Sequence, residues 1–363
     1  MISLRSNRWA VRSGLAMLTI AGILVLGFLV RPTGAQSGSS GGAFAPGTGG
    51  IDPILVGTID LHAHQGPDDK ARSSDFLEAA QYARMKGMRG LVLKSHYDHT
   101  AIQAFMVRKY VPGFEAFGTI DLNRTHGGMN PFAVEHFAST SMPGYPPEGY
   151  GRMVMMGSYD VPFALAAAKS NDPPVYVVKN GVVVPEAKAV IAMSKKHNLS
   201  ITTGHNSGPE AILIIKEALA QGYSPTRLSV THANESVPGL TVEEMQEVAK
   251  MGAFVEMAGQ TQRALTPEAQ KRLDAKNDRI ADLIKKVGPE HVIMETDLGQ
   301  GDTEYHADGL SAFVRNMRAR GISAADTDIM TKRNPARFLG IPEVAPLRLG
   351  DPAESVGARS RRQ

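Results

Sequence analysis

The 363-residue sequence contains no cysteine. That absence excludes a disulfide scaffold, a thiolate nucleophile, cysteine-ligated zinc and iron–sulfur clusters. Aromatic side chains are scarce at 6%, and the single tryptophan, Trp9, falls in the N-terminal segment. A stacking groove for sugars or single-stranded nucleic acid is therefore not expected. Charge of one sign is missing too: residues 51–343 carry 31 basic and 34 acidic side chains, and the net +3 of the whole chain comes from its ends. The body lacks the basic excess of a nucleic-acid binder. No G-x-G-x-x-G or G-x-x-x-x-G-K-[ST] run follows an apolar stretch, which weakens a nucleotide-binding reading. What is present is an ordinary globular balance, 42% hydrophobic and 21% charged, in a length that suits one large domain or two medium ones.

The N-terminus has the composition of an address. Arg5, Arg8 and Arg12 precede the apolar run Gly14–Val30, and small residues follow up to Ala35. A basic stretch, an apolar core and a small-residue cut site describe a secretory signal over residues 1–35. The 17-residue run is also almost long enough for an uncleaved membrane anchor. The expectation is a periplasmic or secreted protein, with N-terminal anchoring as the alternative. Residues 36–50 form a Gly/Ser-rich linker, 51–343 the folded body, and 344–363 a flexible tail.

Within the body, short β-branched apolar runs alternate with amphipathic stretches. The predicted strands are 54–64, 90–96, 114–123, 152–158, 200–205, 228–234, 253–259 and 291–297. Asp75 with Glu78, Ser207 with Glu210 and Thr241 with Glu244 read as helix starts, an N-cap followed three residues later by an acid. Pro209 and Pro267 suit first helical positions, and Gly87, Gly222, Gly252 and Gly321 suit helix ends. VYVVKNGVVV (175–184) reads as a hairpin around Asn180-Gly181. Eight strand–helix units predict an α/β fold, a (β/α)₈ TIM-like barrel with a small β-hairpin insertion before the fifth strand; a doubly wound open sheet is the alternative.

In such a barrel the C-terminal strand ends carry the chemistry. Here they read Asp60, His62, His64; Lys94, His96; Asp121, Asn123; His205; His232; Asp297. His62 and His64 are two residues apart and so share a strand face, which suits a divalent metal bound by neutral imidazoles. Each of these residues alone has an ordinary reading, as a satisfied buried histidine or a loop cap. Their gathering at the ends of the first, fifth, sixth and eighth predicted strands does not. Glu295 shares a face with Asp297 and suits a supporting place behind the metal ligands, with an internal hydrogen-bonding role as the alternative. His126, Tyr97, His99, Asn206, Asn234, Glu235 and His306 sit in nearby connections, where an ordinary loop role is the simpler reading.

The pattern resembles the amidohydrolase superfamily of metal-dependent hydrolases: H-x-H on the first strand, His on the fifth and sixth, Asp on the eighth. NPARFLGI (334–341) is similar to the closing helix of many members, and DLHAHQGPD, VLKSHY, NPFAVE, TTGH, THANES and TDLGQG resemble a poorly characterised amidohydrolase-related bacterial branch. The resemblance implies an enzyme with a divalent metal held by His62, His64, His205, His232 and Asp297. Zinc fits best, with manganese, iron or cobalt as alternatives, in one or two ions. It implies Asp297 as the proton-accepting group and His232 as a second-metal ligand or substrate polariser. Lys94, His96, Asn123 and Arg124 are expected to bind substrate, and no organic cofactor is expected.

The family's bridging lysine or glutamate has no counterpart in the fourth strand, RMVMMGS (152–158). Lys94, on the second strand, has three outcomes: a carbon-dioxide-modified metal bridge, a charged partner of Asp60, Asp121 or a substrate anion, or a side chain reaching solvent. The second is preferred.

The implied function is hydrolysis of an amide, cyclic amide, lactone or ester in a small molecule by a metal-activated water. Phosphoester or phosphotriester hydrolysis, metal-dependent decarboxylation and a non-enzymatic metal- or ligand-binding barrel are the alternatives. No nucleic-acid partner is expected, and a membrane is expected only if the N-terminal segment is uncleaved.

Overall fold

The alternating apolar runs and amphipathic stretches form a parallel sheet flanked by helices in a computed structural model that describes residues 50–143, 149–259, 266–301 and 303–343. The signal or anchor expected at 1–35, the linker 36–50 except Gly50, and the tail 344–363 lie outside the described residues. Among the described residues, no helix is long and apolar enough to cross a membrane.

The strands are β1 (Ile59–His64), β2 (Gly90–Lys94), β3 (Glu115–Asp121), β4 (Gly151–Met155), β5 (Val178–Lys179), β6 (Val182–Val183), β7 (Ser200–Thr202), β8 (Leu228–Val230), β9 (Phe254–Ala258) and β10 (Val292–Glu295). Eight of them form one sheet in the order β1-β2-β3-β4-β7-β8-β9-β10, every neighbouring pair parallel. The circle closes beyond the end of β10, where Ala63 bridges Leu298 and the His64 amide donates to the Leu298 carbonyl at 2.9 Å. This is the predicted (β/α)₈ barrel. The antiparallel pair β5–β6 is the predicted hairpin before the fifth barrel strand, turning on Asn180 and Gly181.

Local signals account for much of the helix placement. All three predicted capping boxes form, at Asp75/Glu78, Ser207/Glu210 and Thr241/Glu244. Pro267 opens the helix Pro267–Val287, while Pro209 is the second residue of Gly208–Ala220. The strands are shorter than predicted. His96, Asn123, His205, His232 and Asp297 fall two or three residues beyond the last ladder residue, where the chain turns away from the sheet toward the next helix.

The interior is layered by the two-residue period of the strands. At the N-terminal end, Leu61, Val92, Phe117, Phe254 and Ile293 pack against Phe338 and Leu339. Those last two belong to the short helix Asn334–Leu339, too short to be stable alone, so its burial against the barrel holds it. Two residues further along their strands, Lys94, Thr119, Glu256 and Glu295 form a polar layer that is almost wholly buried. Aliphatic residues would normally fill that level. Above it lie the histidines.

Candidate metal centre

Hydrogen bonds at the β1–β10 seam set the position of the H-x-H pair. Asp60 accepts from the Thr296 amide at 3.0 Å, the Thr296 hydroxyl at 2.5 Å and the His62 amide at 3.1 Å. Those bonds tie the first strand to the segment that carries Asp297. His205 follows Gly204, whose φ of +68° lies in the left-handed region, and a Cβ there would overlap the Gly157 carbonyl oxygen. Only glycine lets the chain turn so closely, and the His205 amide then donates to that same carbonyl at 3.0 Å. Asp297 itself has φ 51°, a conformation that aspartate adopts more readily than most residues. It swings the carboxylate off the strand axis toward the histidines.

Together these turns bring the five predicted ligands into one pocket. Asp297 Oδ1 lies 3.2 Å from His64 Nε2 and 3.5 Å from His62 Nε2. His205 Nε2 and His232 Nε2 face each other at 3.1 Å. The His62 ring lies between the two groups, its centroid 5.1 Å from His64 and 5.4 Å from His232. The cavity above them measures about 370 Å³, and its walls include His96, Tyr159, Lys70, Arg72, Glu235 and Gln300.

Burial dominates the electrostatics. It lowers the His64 imidazole to about 3 and His232 to about 4, and it holds His62, His205 and His96 below the usual histidine range. The rings are therefore neutral at physiological pH, with lone pairs available to a metal. Burial works against ionisation of Asp297, but the facing His62 and His64 rings outweigh it and keep the carboxyl well below its ordinary range. His62, His64 and Asp297 offer donor atoms that all lie within 4.8 Å of one another. Neutral imidazoles and one carboxylate around a common point fit a divalent cation of the zinc or manganese type. The facing His205 and His232 nitrogens add a second pair of donors beside it.

The substrate-binding expectations fall in different places. His96 lines the pocket, its ring centroid 4.7 Å from that of His64. Lys94 is fully buried beneath it and donates to Asp121 Oδ2 at 2.6 Å, the paired outcome among the three expected. Asn123 is also fully buried. Its amide donates to the His96 carbonyl at 2.8 Å and to Ser158 Oγ at 3.0 Å, which braces the loops under the pocket. Arg124 pairs with Asp160 at 3.0 Å and lines a separate cavity of about 440 Å³ with Tyr176 and Lys179. Lys94, Asn123 and Arg124 are not among the pocket's walls.

The Lys94–Asp121 pair yields a stability prediction. Lys94→Met is expected to destabilise the protein by roughly 3–5 kcal/mol, because it leaves a buried carboxylate uncompensated. Lys94→Met/Asp121→Asn should recover part of that loss. Urea unfolding midpoints of the two variants check this, and a single variant as stable as wild type would refute it.

Some pocket residues carried no sequence signal. The Tyr159 ring lies 4.0 Å from His96 and 5.8 Å from His205, and Lys70 Nζ sits 3.8 Å above it. Lys70 and Arg72 belong to the loop after β1, and Tyr159 to the loop after β4. Loops at the C-terminal ends of strands were the place to look, but no periodicity marks which of their residues face inward.

Residues 57–256 match a family of unknown function, DUF6282, and the chain belongs to it. No curated protein matches the chain. Among solved structures it is similar to the phosphotriesterase homology protein from Escherichia coli, which is complexed with phosphate in its active site. The two are 14% identical over 80% of this chain and 100% of that one, with a TM-score of 0.55. It is likewise similar to the organophosphorus hydrolase from Deinococcus radiodurans, at 14% identity over 81% and 95% of the two chains, TM-score 0.52. A third similar structure comes from engineering organophosphate hydrolysis into a weak promiscuous lactonase template, at 13% identity over 81% and 98%, TM-score 0.51. At these identities the likeness establishes the barrel fold, the one implied by the resemblance in the sequence.

Proposed function

We propose that this protein is a metal-dependent hydrolase of small molecules, acting on an amide, cyclic amide, lactone or ester bond. The observation that carries the reading is the convergence of His62, His64, His205, His232 and Asp297, from four separate strand ends, on one half-enclosed pocket. A divalent cation held there, zinc first and manganese, iron or cobalt next, supplies Lewis acidity and lowers the pKa of water toward neutrality. His62, His64 and Asp297 are the strongest ligand set, and His205 with His232 can hold a second ion. Asp297 takes the proton from water and returns it to the leaving group. His232, facing the same space, polarises the scissile group when it is not a ligand. His96 and Tyr159 form an aromatic wall that excludes water from one side of the substrate.

A second reading is phosphoester or phosphotriester hydrolysis. It is favoured by the cationic Lys70 in the pocket wall, beside Arg72 that is already paired with Asp68 at 2.6 Å, and by the phosphate in the active site of one similar structure. Metal analysis of purified protein, followed by a screen of amides, lactones, esters and phosphoesters, separates the two. Metal without turnover of any class would leave a ligand-binding barrel, and metal-free protein would remove both readings. Residues 1–35 belong to the proposal as a secretory signal, with an anchor as the alternative. Mass spectrometry of the mature N-terminus is expected to find it near Gln36.

A further inference from the structure

Beneath the pocket lies a second cluster that the hydrolytic reading leaves unused. His62 Nδ1 and the carboxylates of Glu256 and Glu295 offer donor atoms that all lie within 4.8 Å of one another. The three residues are at most 1% exposed. His62 Nδ1 lies 3.4 Å from Glu295 Oε1 and makes no hydrogen bond, and the Glu295 carboxyl has no hydrogen-bond partner besides the neighbouring Glu256. Glu256 accepts from the Ser229 hydroxyl. The nearby charges are already committed. Lys94 belongs to Asp121, and Asp60 takes its three donors from Thr296 and His62.

Two carboxylates in a dry interior without a cation of their own are costly, and orphaned lone pairs add to that cost. We propose that His62 Nδ1, Glu256 and Glu295 form an inner site for a divalent cation, in addition to the pocket site. A double-positive ion matches the charge of the two carboxylates and uses the orphaned donors. One imidazole and two carboxylates suit zinc, manganese or iron, whereas calcium takes six to eight oxygens, which this set does not supply. His62 would then serve both sites, with Nε2 toward Asp297 and Nδ1 toward the inner ion. Engaging both nitrogens releases the ring's N–H proton to solvent as the ions bind. The inner ion would also fix the orientation of the ring that the pocket relies on.

The test is a count of zinc ions per chain, by elemental analysis of full-length protein dialysed against zinc. Wild type is compared with Glu256→Gln, Glu295→Gln and, as the pocket control, His64→Ala. Circular dichroism monitors folding. Each glutamine variant is expected to lose one equivalent, and His64→Ala to keep that equivalent while losing the pocket zinc. Glutamine variants with wild-type zinc content would overturn the inner site and leave Glu256 and Glu295 sharing a proton. If those variants do not fold, anomalous diffraction at the zinc edge from wild-type crystals decides. A peak within bonding distance of His62 Nδ1 and Glu295 supports the site, and its absence there overturns it. Failure of the pocket reading is separate, since it appears as unchanged zinc content in His64→Ala.

Discussion

Alanine at His64 is expected to weaken zinc binding in the pocket by at least a hundredfold, and alanine at His62 to remove still more of the bound metal. Structural zinc sites contribute about 10–16 kcal/mol through four ligands, so each ligand is worth roughly 3 kcal/mol. That corresponds to two or more orders of magnitude in Kd. The expectation for His64 rests on its Nε2, 3.2 Å from Asp297 Oδ1 in a pocket where burial keeps the imidazole neutral. His62 carries the larger effect because its two nitrogens face two different groups of donors, Asp297 on one side and Glu295 on the other. The fold should survive both changes, since the strand ladder uses backbone atoms of β1 and the seam bonds run to the Asp60 carboxylate, neither involving these imidazoles. Zinc titration of each variant against a competing chelator measures the effect. Wild-type affinity in both variants would mean that the pocket does not hold a metal through the H-x-H pair.

The parts of this arrangement legible in the sequence are those marked by period. His62 and His64, His205, His232 and Asp297 stand out because polar residues end runs that are otherwise apolar, and a barrel turns strand ends toward one face. Lys94 was legible as an interior residue from its alternation with His96, but its partner was not. Asp60 and Asp121 were equal candidates until the topology placed β2 beside β3 and gave Asp60 to the seam between β1 and β10. Arg124 looked like an anion holder because Asp160 and Asp172, 36 and 48 positions away, gave no local sign that they would claim it. Glu256 was within reach of the same reasoning that found Glu295. It lies between Phe254 and Ala258 on the inward face of β9, a carboxylate where a barrel interior calls for an aliphatic side chain. Tyr159, Lys70 and Arg72 were beyond such reasoning, since loop residues obey no period.

Asp297→Asn is expected to retain much of the bound zinc while lowering kcat by about 10²–10⁴-fold on whichever ester, lactone, amide or phosphoester the wild type hydrolyses. Asparagine keeps the size and shape of the side chain and one oxygen for a metal, but it cannot accept the proton of an attacking water. It also tolerates the left-handed backbone that this position requires, with φ 51°, so little folding cost should obscure the result. The carboxylate it replaces has its pKa held well below the ordinary range despite burial, so it is ionised at neutral pH, the state a proton acceptor needs. The measurement is kcat for variant and wild type at matched zinc content, so that lost metal is not mistaken for lost chemistry. A large fall in kcat at full zinc loading places Asp297 in the proton transfer itself. Near-wild-type turnover would reduce it to a group that holds His62 and His64 in place, and the proton acceptor would have to be sought elsewhere along the wall, where Glu235 is the one other carboxylate among the described residues that line the pocket.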